Sequence, residues 1–218
     1  MGLFETFFGW WAHPDRILSC CTLEGLDILL QAQQTGRGIL LVGPHFTTLE
    51  ILGVAVALQA PIHVTYRKHN HPVLETLYLK NRAKYYRQSI DKDDSRSLIR
   101  SLKSGQTVWL APDQNFSGKS KGFSPFFGIP AATMPVVSKL AKLTHAIIIP
   151  VSFKRTSPTG RYHFTFHPPL DHFPSEDARS DTDRINALFE SFVREAPEQY
   201  LWSHRRFKTR PPNEPPFY

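Results

Sequence analysis

Cysteine is nearly absent: of 218 residues only Cys20 and Cys21 carry a thiol, and they are adjacent. Neighbouring cysteines suit neither a structural disulfide nor zinc-ligand spacing. Both read as small, partly buried apolar residues of a reduced compartment. No apolar run approaches the roughly 18 residues of a membrane span. The N-terminus lacks the basic stretch and the small-residue cleavage site of a secretory signal. There is no Gly-rich phosphate loop, no Gly-x-Ser-x-Gly elbow and no metal-ligand cluster, so the chemistry is expected to need no metal and no cofactor. Acidic residues are the minority, 19 against 26 Lys and Arg, for a net charge of +7. That balance points to an anionic partner: nucleic acid, a phospholipid surface, a phosphorylated substrate or an acidic carrier protein. No nucleic acid is expected, because aromatics do not interleave with the basic clusters and no helix-turn-helix or zinc spacing occurs. A myristoylation pattern at Gly2 and a glycosylation sequon at Asn115 are short enough to be coincidences.

What is present is a globular composition, 41% hydrophobic and 21% charged, at a length that fits one sizeable domain. Leu3, Phe4, Phe7, Phe8 and Trp11 recur at helical spacing. With Trp10 they suggest an aromatic amphipathic helix over residues 1–13 that lies against a bilayer or packs on the core of residues 14–218. Helices are expected over Pro14–Gln34, Thr47–Leu58, Pro72–Tyr85, Asp93–Ser104, Thr133–Leu143 and Asp181–Glu195. Strands are expected at Ile39–Val42, Ile62–Tyr66, Thr107–Leu110 and His145–Phe153, with an alternating one at Arg161–His167. Ala111–Pro130 reads as a long functional loop and the Pro-rich tail after Phe207 as extended. The order of elements implies an α/β single domain with a mostly parallel or mixed central sheet flanked by helices.

Gly43-Pro44-His45-Phe46-Thr47-Thr48-Leu49-Glu50 follows the first apolar strand and opens a helix. The carboxyl end of a buried strand is where α/β folds present reactive side chains. Histidine moves protons near neutral pH, and a carboxylate that orients it makes a base able to activate a hydroxyl. The pattern suggests acyl transfer to an alcohol. With ten His and 19 acids, about one His-x4-acid match arises by chance. The second copy, His172 to Asp177, contains Pro174 and reads as loop. A helix-start histidine making only a local hydrogen bond is the bland alternative for His45. Basic residues gather at Arg67, Lys68, Lys80, Arg82, Lys84 and Arg87, at Lys119 and Lys121, and at Arg205, Arg206, Lys208 and Arg210. Guanidinium groups bind phosphate and carboxylate, although a solvated basic face is as good a reading of any single one. Asp113-Gln114-Asn115 leaves the Val108–Leu110 strand and faces the same crevice as His45 if the two strands are neighbours; it binds substrate there or simply closes the turn.

These residues resemble a family, the lauroyl and myristoyl acyltransferases of lipid A (lipopolysaccharide) biosynthesis. The matching segments are Phe4-Glu5-Thr6, His45 to Glu50, Tyr66-Arg67, Asn81-Arg82 with Tyr85, Ala111 to Gln114, Pro125 to Thr133, and Pro197 to Trp202 running into His204 to Pro211. They cover nearly the whole chain in family order. The resemblance implies a glycerolipid-acyltransferase-like fold. It also implies transfer of a fatty acyl chain from an acyl-carrier-protein thioester to a hydroxyl of a phosphorylated, Kdo-bearing lipid A precursor. The partners would be that carrier protein, that precursor and the inner-membrane surface, at the cytoplasmic face of the cell inner membrane. His45 and Glu50 would be the catalytic dyad, Glu50 fixing the tautomer of His45. Arg82 falls on a functionally important arginine, and Arg67, Asp113, Gln114, Arg205 and Arg206 would bind substrate. Acylation of another glycolipid or lysophospholipid, or an inactive membrane-binding relative, are the alternatives. Three departures stand out. The family's upstream membrane-spanning helix is not in this sequence, so attachment is expected through the aromatic helix or an anchor further upstream. The usual Asp-Gln-Asp reads Asp113-Gln114-Asn115, and the Thr-rich run after Ala131-Ala132 becomes Thr133-Met134-Pro135.

Overall fold

Ile39, Leu40, Leu41 and Val42 are all fully buried, as a strand covered on both faces must be. The computed structural model in which they sit describes residues 2–118 and 122–218. In chain order its elements are α1 (Gly2–Trp11), α2 (Pro14–Cys20), β1 (Cys21–Glu24), α3 (Leu26–Gln34), β2 (Ile39–Val42), α4 (Leu49–Ala57), β3 (His63–Tyr66), α5 (Pro72–Arg82), β4 (Gln88–Asp91), α6 (Ser95–Lys103), β5 (Thr107–Leu110), β6 (Gly122–Phe126), β7 (Ile129–Thr133), α7 (Val136–Thr144), β8 (Ile147–Ser157), β9 (Arg161–Phe166) and α8 (Ala178–Glu195). Seven strands form one sheet in the order β1-β9-β8-β2-β5-β3-β4. From β8 to β4 every neighbour is parallel; β9 turns back antiparallel on β8, and β1 runs parallel to β9. The sheet is therefore mixed, with helices on its faces, as the strand–helix order implied.

Most expected elements are found, with shifted ends. Asp94 caps α6 through a bond from Ser97 N, and Pro72 opens α5. Pro135 precedes α7, which starts at Val136, so Thr133 belongs to β7. The single helix expected from Pro14 to Gln34 is corrected to two, split by β1. Cys21 to Glu24 pair with Tyr162 to Thr165, and Gly25 turns the chain at φ 70°. Edge pairing and a left-handed turn override the helical spacing there. The strand β4 went unread because Gln88-Ser89-Ile90-Asp91 buries only Ile90. The expected long loop contains the antiparallel hairpin β6–β7, fastened to α8 by bonds from Asn186 Nδ2 to Ser124 Oγ and Pro125 O. Lys119 and Lys121 lie outside the described residues. The tail is not extended: Phe217 packs on Phe207 with ring centroids 4.8 Å apart.

The first helix shows its polar face to the protein. Glu5, Thr6, Gly9 and Trp10 are buried, whereas Leu3, Phe4 and Trp11 are exposed. Glu5 Oε1 accepts from Arg155 Nη1 at 2.5 Å and from Tyr162 Oη at 3.3 Å, so the buried charge is paired, while Oε2 is buried without a partner among the described residues. Gly9 lets α1 close onto α4, since a Cβ there would lie 3.2 Å from the Cα of Ile51. Among the described residues no helix is long and apolar enough to cross a membrane.

Candidate active site

β2 and β5 are neighbours, with Val42 opposite Leu110, so the loops that leave their carboxyl ends meet. Gly43 is required at the exit of β2 by a close approach: a Cβ there would lie 2.8 Å from both the Cγ2 and the carbonyl oxygen of Val151. The loop is then pinned from behind by the C-terminal segment. Phe46 bridges to Tyr200, Thr47 N donates to Gln199 O, and Leu201 N donates to His45 O at 3.0 Å. Gln199 in turn exchanges side-chain bonds with the backbone N and O of Arg155, the residue that holds Glu5. The segments at Phe4, His45 and Pro197 thus form one connected support.

Asp113 meets His45 twice. Its Oδ2 accepts from His45 N at 2.9 Å and its Oδ1 lies 2.5 Å from His45 Nδ1. Burial opposes the charge of Asp113, but the His45 charge, its ring and backbone bonds and the Tyr200 hydroxyl outweigh it and hold the carboxyl below its usual pKa. A carboxylate against Nδ1 places the ring proton there and leaves Nε2 as the basic nitrogen. The sequence reading put Glu50 in this position, and the geometry differs. Glu50 lies within the first turn of α4, pointing to α5, where its Oε1 pairs with Arg82 Nη2. Burial works against the Arg82 charge, but Glu50 more than offsets it and raises the pKa above the usual arginine value. The guanidinium also lies 5.4 Å from the Tyr78 ring centroid and 5.8 Å from that of Tyr66. Glu50 Oε2 and Arg82 Nε are buried without partners among the described residues, an unusual deficit in a native interior.

His45, Glu50, Tyr66 and Arg82 line one cavity of roughly 150 Å³ that opens to solvent. His45, Glu50, Arg67, Arg82, Lys92 and Gln114 supply its polar wall; Gly53, Ile62, Val64, Tyr86, Trp109 and Leu110 supply an apolar one. An apolar pocket with a few convergent polar groups has the general form of a ligand site. Of the other expected site residues, Arg205 is exposed beside the Tyr218 ring and does not line the cavity. Arg206 is fully enclosed and donates to Ala132 O at 2.8 Å, Gln114 O at 3.3 Å and Thr133 Oγ1 at 2.6 Å. Its two terminal nitrogens hold the β5 exit against β7, Nε is buried without a partner among the described residues, and the side chain does not line the cavity where substrate contact was expected. Asn115 makes a reciprocal pair with Thr209, donating to Oγ1 and accepting from N, which is why an amide serves at the position where an acid was expected. Sequence reasoning missed His204, whose ring lies 5.2 Å from that of His45, and Lys92, which follows the unread strand β4. Among the described residues no group of three or more His, Cys, Asp or Glu is placed to hold a metal ion.

Residues 1–209 match the family model described as bacterial lipid A biosynthesis acyltransferase. The chain is 35% identical over 219 residues to the lipid A biosynthesis palmitoleoyltransferase of Escherichia coli (strain K12), covering all of this chain and 71% of that protein. Against the lipid A biosynthesis lauroyltransferase of the same organism the identity is 36% over 220 residues, covering all of this chain and 72% of the relative. Among solved structures, the 1-acyl-sn-glycerophosphate acyltransferase of Thermotoga maritima is similar with a TM-score of 0.46 and 16% identity, covering 90% of this chain and 88% of the other. The chain belongs to the bacterial lipid A biosynthesis acyltransferase family.

Proposed function

We propose that this acyltransferase moves a fatty acyl chain from an acyl-carrier-protein thioester to a hydroxyl of a phosphorylated, Kdo-bearing lipid A precursor. The observation that carries the reading is the His45–Asp113 pair at the mouth of a cavity that is apolar on one wall and cationic on the other. His45 Nε2 takes the proton of the acceptor hydroxyl as its oxygen attacks the thioester carbonyl carbon, and Asp113 stabilises the resulting imidazolium. When the carbon–sulfur bond breaks, the departing thiolate takes that proton back, leaving ester and thiol. Glu50 contributes by holding Arg82 in the cavity, where Arg82, Arg67 and Lys92 face the anionic groups of the substrates. The wall of Gly53, Ile62, Val64, Tyr86 and Trp109 suits an acyl chain. Exposed Lys80, Lys84 and Arg87 suit an acidic carrier. The exposed Leu3, Phe4 and Trp11 of α1 and Val73 and Leu74 of α5 suit the headgroup region of the inner membrane's cytoplasmic face.

The test is mass spectrometry of tetra-acylated, Kdo-bearing lipid A precursor incubated with the protein, liposomes and a mixture of acyl-carrier-protein thioesters. A gain of one acyl mass is expected, lost in His45→Ala while fold and liposome binding persist. General base loss alone costs about 10²–10⁴-fold. No gain with folded protein, together with acylation of a lysophospholipid or another glycolipid, would refute the acceptor assigned here.

A further inference from the structure

The base nitrogen of His45 already has a hydrogen-bond partner within the protein. Gln114, the residue after Asp113, places its side-chain nitrogen 3.2 Å from His45 Nε2 and 2.9 Å from His204 Nε2. His45 carries its ring proton on Nδ1, against Asp113 Oδ1, so Nε2 can only accept. The amide end that faces it is therefore the NH2 group. Its other hydrogen is directed to His204 Nε2, which accepts it when that ring is neutral with its proton on Nδ1. The His204 pKa is held below its usual value, by partial desolvation first and by the neighbouring His45 second, which favours the neutral ring. His204 reaches this place from the short turn Trp202–His204, which follows directly on the Leu201 bond to the His45 carbonyl.

We infer that Gln114 is the hydrogen-bond donor to the oxyanion of acyl transfer, and that His204 is its positioning residue. The inference rests on the acyl-transfer reading above. An acceptor hydroxyl that binds His45 Nε2 must displace the Gln114 hydrogen now resting there. The amide nitrogen stays tethered to His204, next to the reacting carbon. As the hydroxyl oxygen bonds to that carbon, its proton passes to Nε2 and the carbonyl electron pair moves onto oxygen. The displaced Gln114 hydrogen then meets the one atom that has gained charge. When the pair returns to carbon, the thiolate leaves with the Nε2 proton and the Gln114 hydrogen falls back onto His45. A donor aimed at charge that appears only in the transition state raises kcat rather than binding.

The experiment is steady-state kinetics of the full chain on liposomes, with the tetra-acylated precursor and the acyl-carrier-protein thioester that the wild type uses fastest. Gln114 and His204 are both exposed, so their variants are expected to fold, and circular dichroism checks this. Gln114→Glu, nearly the same size, should lower kcat about 10²–10³-fold with KM little changed. His204→Ala should lose up to about 10²-fold through the misplaced amide. His204→Gln, whose oxygen accepts the same hydrogen, should recover most of that. Gln114→Ala/His204→Ala should be no slower than Gln114→Ala alone, because one residue acts through the other. A Gln114→Glu enzyme within about tenfold of wild type, or losses that multiply in the double variant, would overturn the inference while the wild-type reaction stands. A wild type that transfers no acyl group would overturn the acyl-transfer reading, and this inference with it.

Discussion

Replacing Asp113 by Asn separates the carboxylate that touches His45 from the one that the sequence spacing singles out. The structure dictates how the amide must sit. Asp113 Oδ2 accepts from the backbone N–H of His45 at 2.9 Å, so in Asp113→Asn that position must be taken by the amide oxygen. The NH2 group then falls against His45 Nδ1, where Oδ1 now lies at 2.5 Å. A donor facing Nδ1 drives the ring proton to Nε2, the nitrogen that has to receive the acceptor's proton. Locking a base histidine in the wrong tautomer costs about 10⁴-fold in kcat. Four decades correspond to about 5.4 kcal/mol of transition-state stabilisation. The assay is acyl transfer from carrier-protein thioester to lipid A precursor, Asp113→Asn beside Glu50→Gln at equal protein. Asp113→Asn should be the slower. The same variant makes a stability prediction. The Asp113 pKa is lowered in the folded protein, so its contribution is present above the unfolded value of about 3.9 and is lost as pH falls through the folded one. The stability difference between wild type and Asp113→Asn should therefore shrink below about pH 4. If Asp113→Asn stays within tenfold of wild type while Glu50→Gln loses 10³-fold or more, the orienting role assigned to Asp113 is wrong and Glu50 takes it in the working enzyme.

Glu50→Gln should act mainly on Arg82. Each side chain of that pair is only 15% exposed, and removing one partner leaves an uncompensated charge, so denaturant unfolding should show a loss of about 3 kcal/mol. Gly53→Ala should narrow the cavity, because a methyl there would lie 2.5 Å from the Tyr86 hydroxyl. Overpacking of this kind costs about 1–3 kcal/mol, and Tyr86→Phe in the same chain should return most of it. In the thioester mixture the Gly53→Ala product should carry shorter acyl chains by mass spectrometry; an unchanged distribution would move the acyl chain away from this wall.

The periodic helices and the apolar strands were legible because burial leaves a pattern in one segment at a time. Ile39–Val42 is covered on both faces and reads as a continuous apolar run, and α6 shows one apolar stripe with an Asp cap. The edge strands were not legible: β1 pairs with Tyr162 to Thr165, far along the chain, and β4 buries only Ile90, so no local pattern marks either. The site divides in the same way. His45 stands out by its strand-to-helix setting and Arg82 by its resemblance to the family. The carboxylate that touches His45 could not be read from local spacing, because Asp113 is remote in sequence and adjacent in space only through the neighbouring strands β2 and β5. Spacing along one helix favoured Glu50, but a residue within the first turn of α4 projects across the cavity toward α5 instead of back to the loop it came from.

The first helix carries the same lesson to the surface. An apolar stripe ordinarily faces the core because burial removes it from water. Here Glu5 is buried against Arg155 and Tyr162, and Gly9 fits only against α4, so the polar stripe is the one with partners inside. A charged pair taken out of water stabilises little by itself, but breaking it is costly, so it fixes the rotation of the helix together with the fully buried Trp10 on the same face. With that rotation set, Leu3, Phe4 and Trp11 have nowhere to go but outward, on the same helix whose Trp10 packs edge-on against Tyr78 of α5. The exposed aromatic face is thus tied through Glu5, Arg155 and Gln199 to the backbone that holds His45. Whatever that face rests on is held in a set orientation to the cavity beside His45.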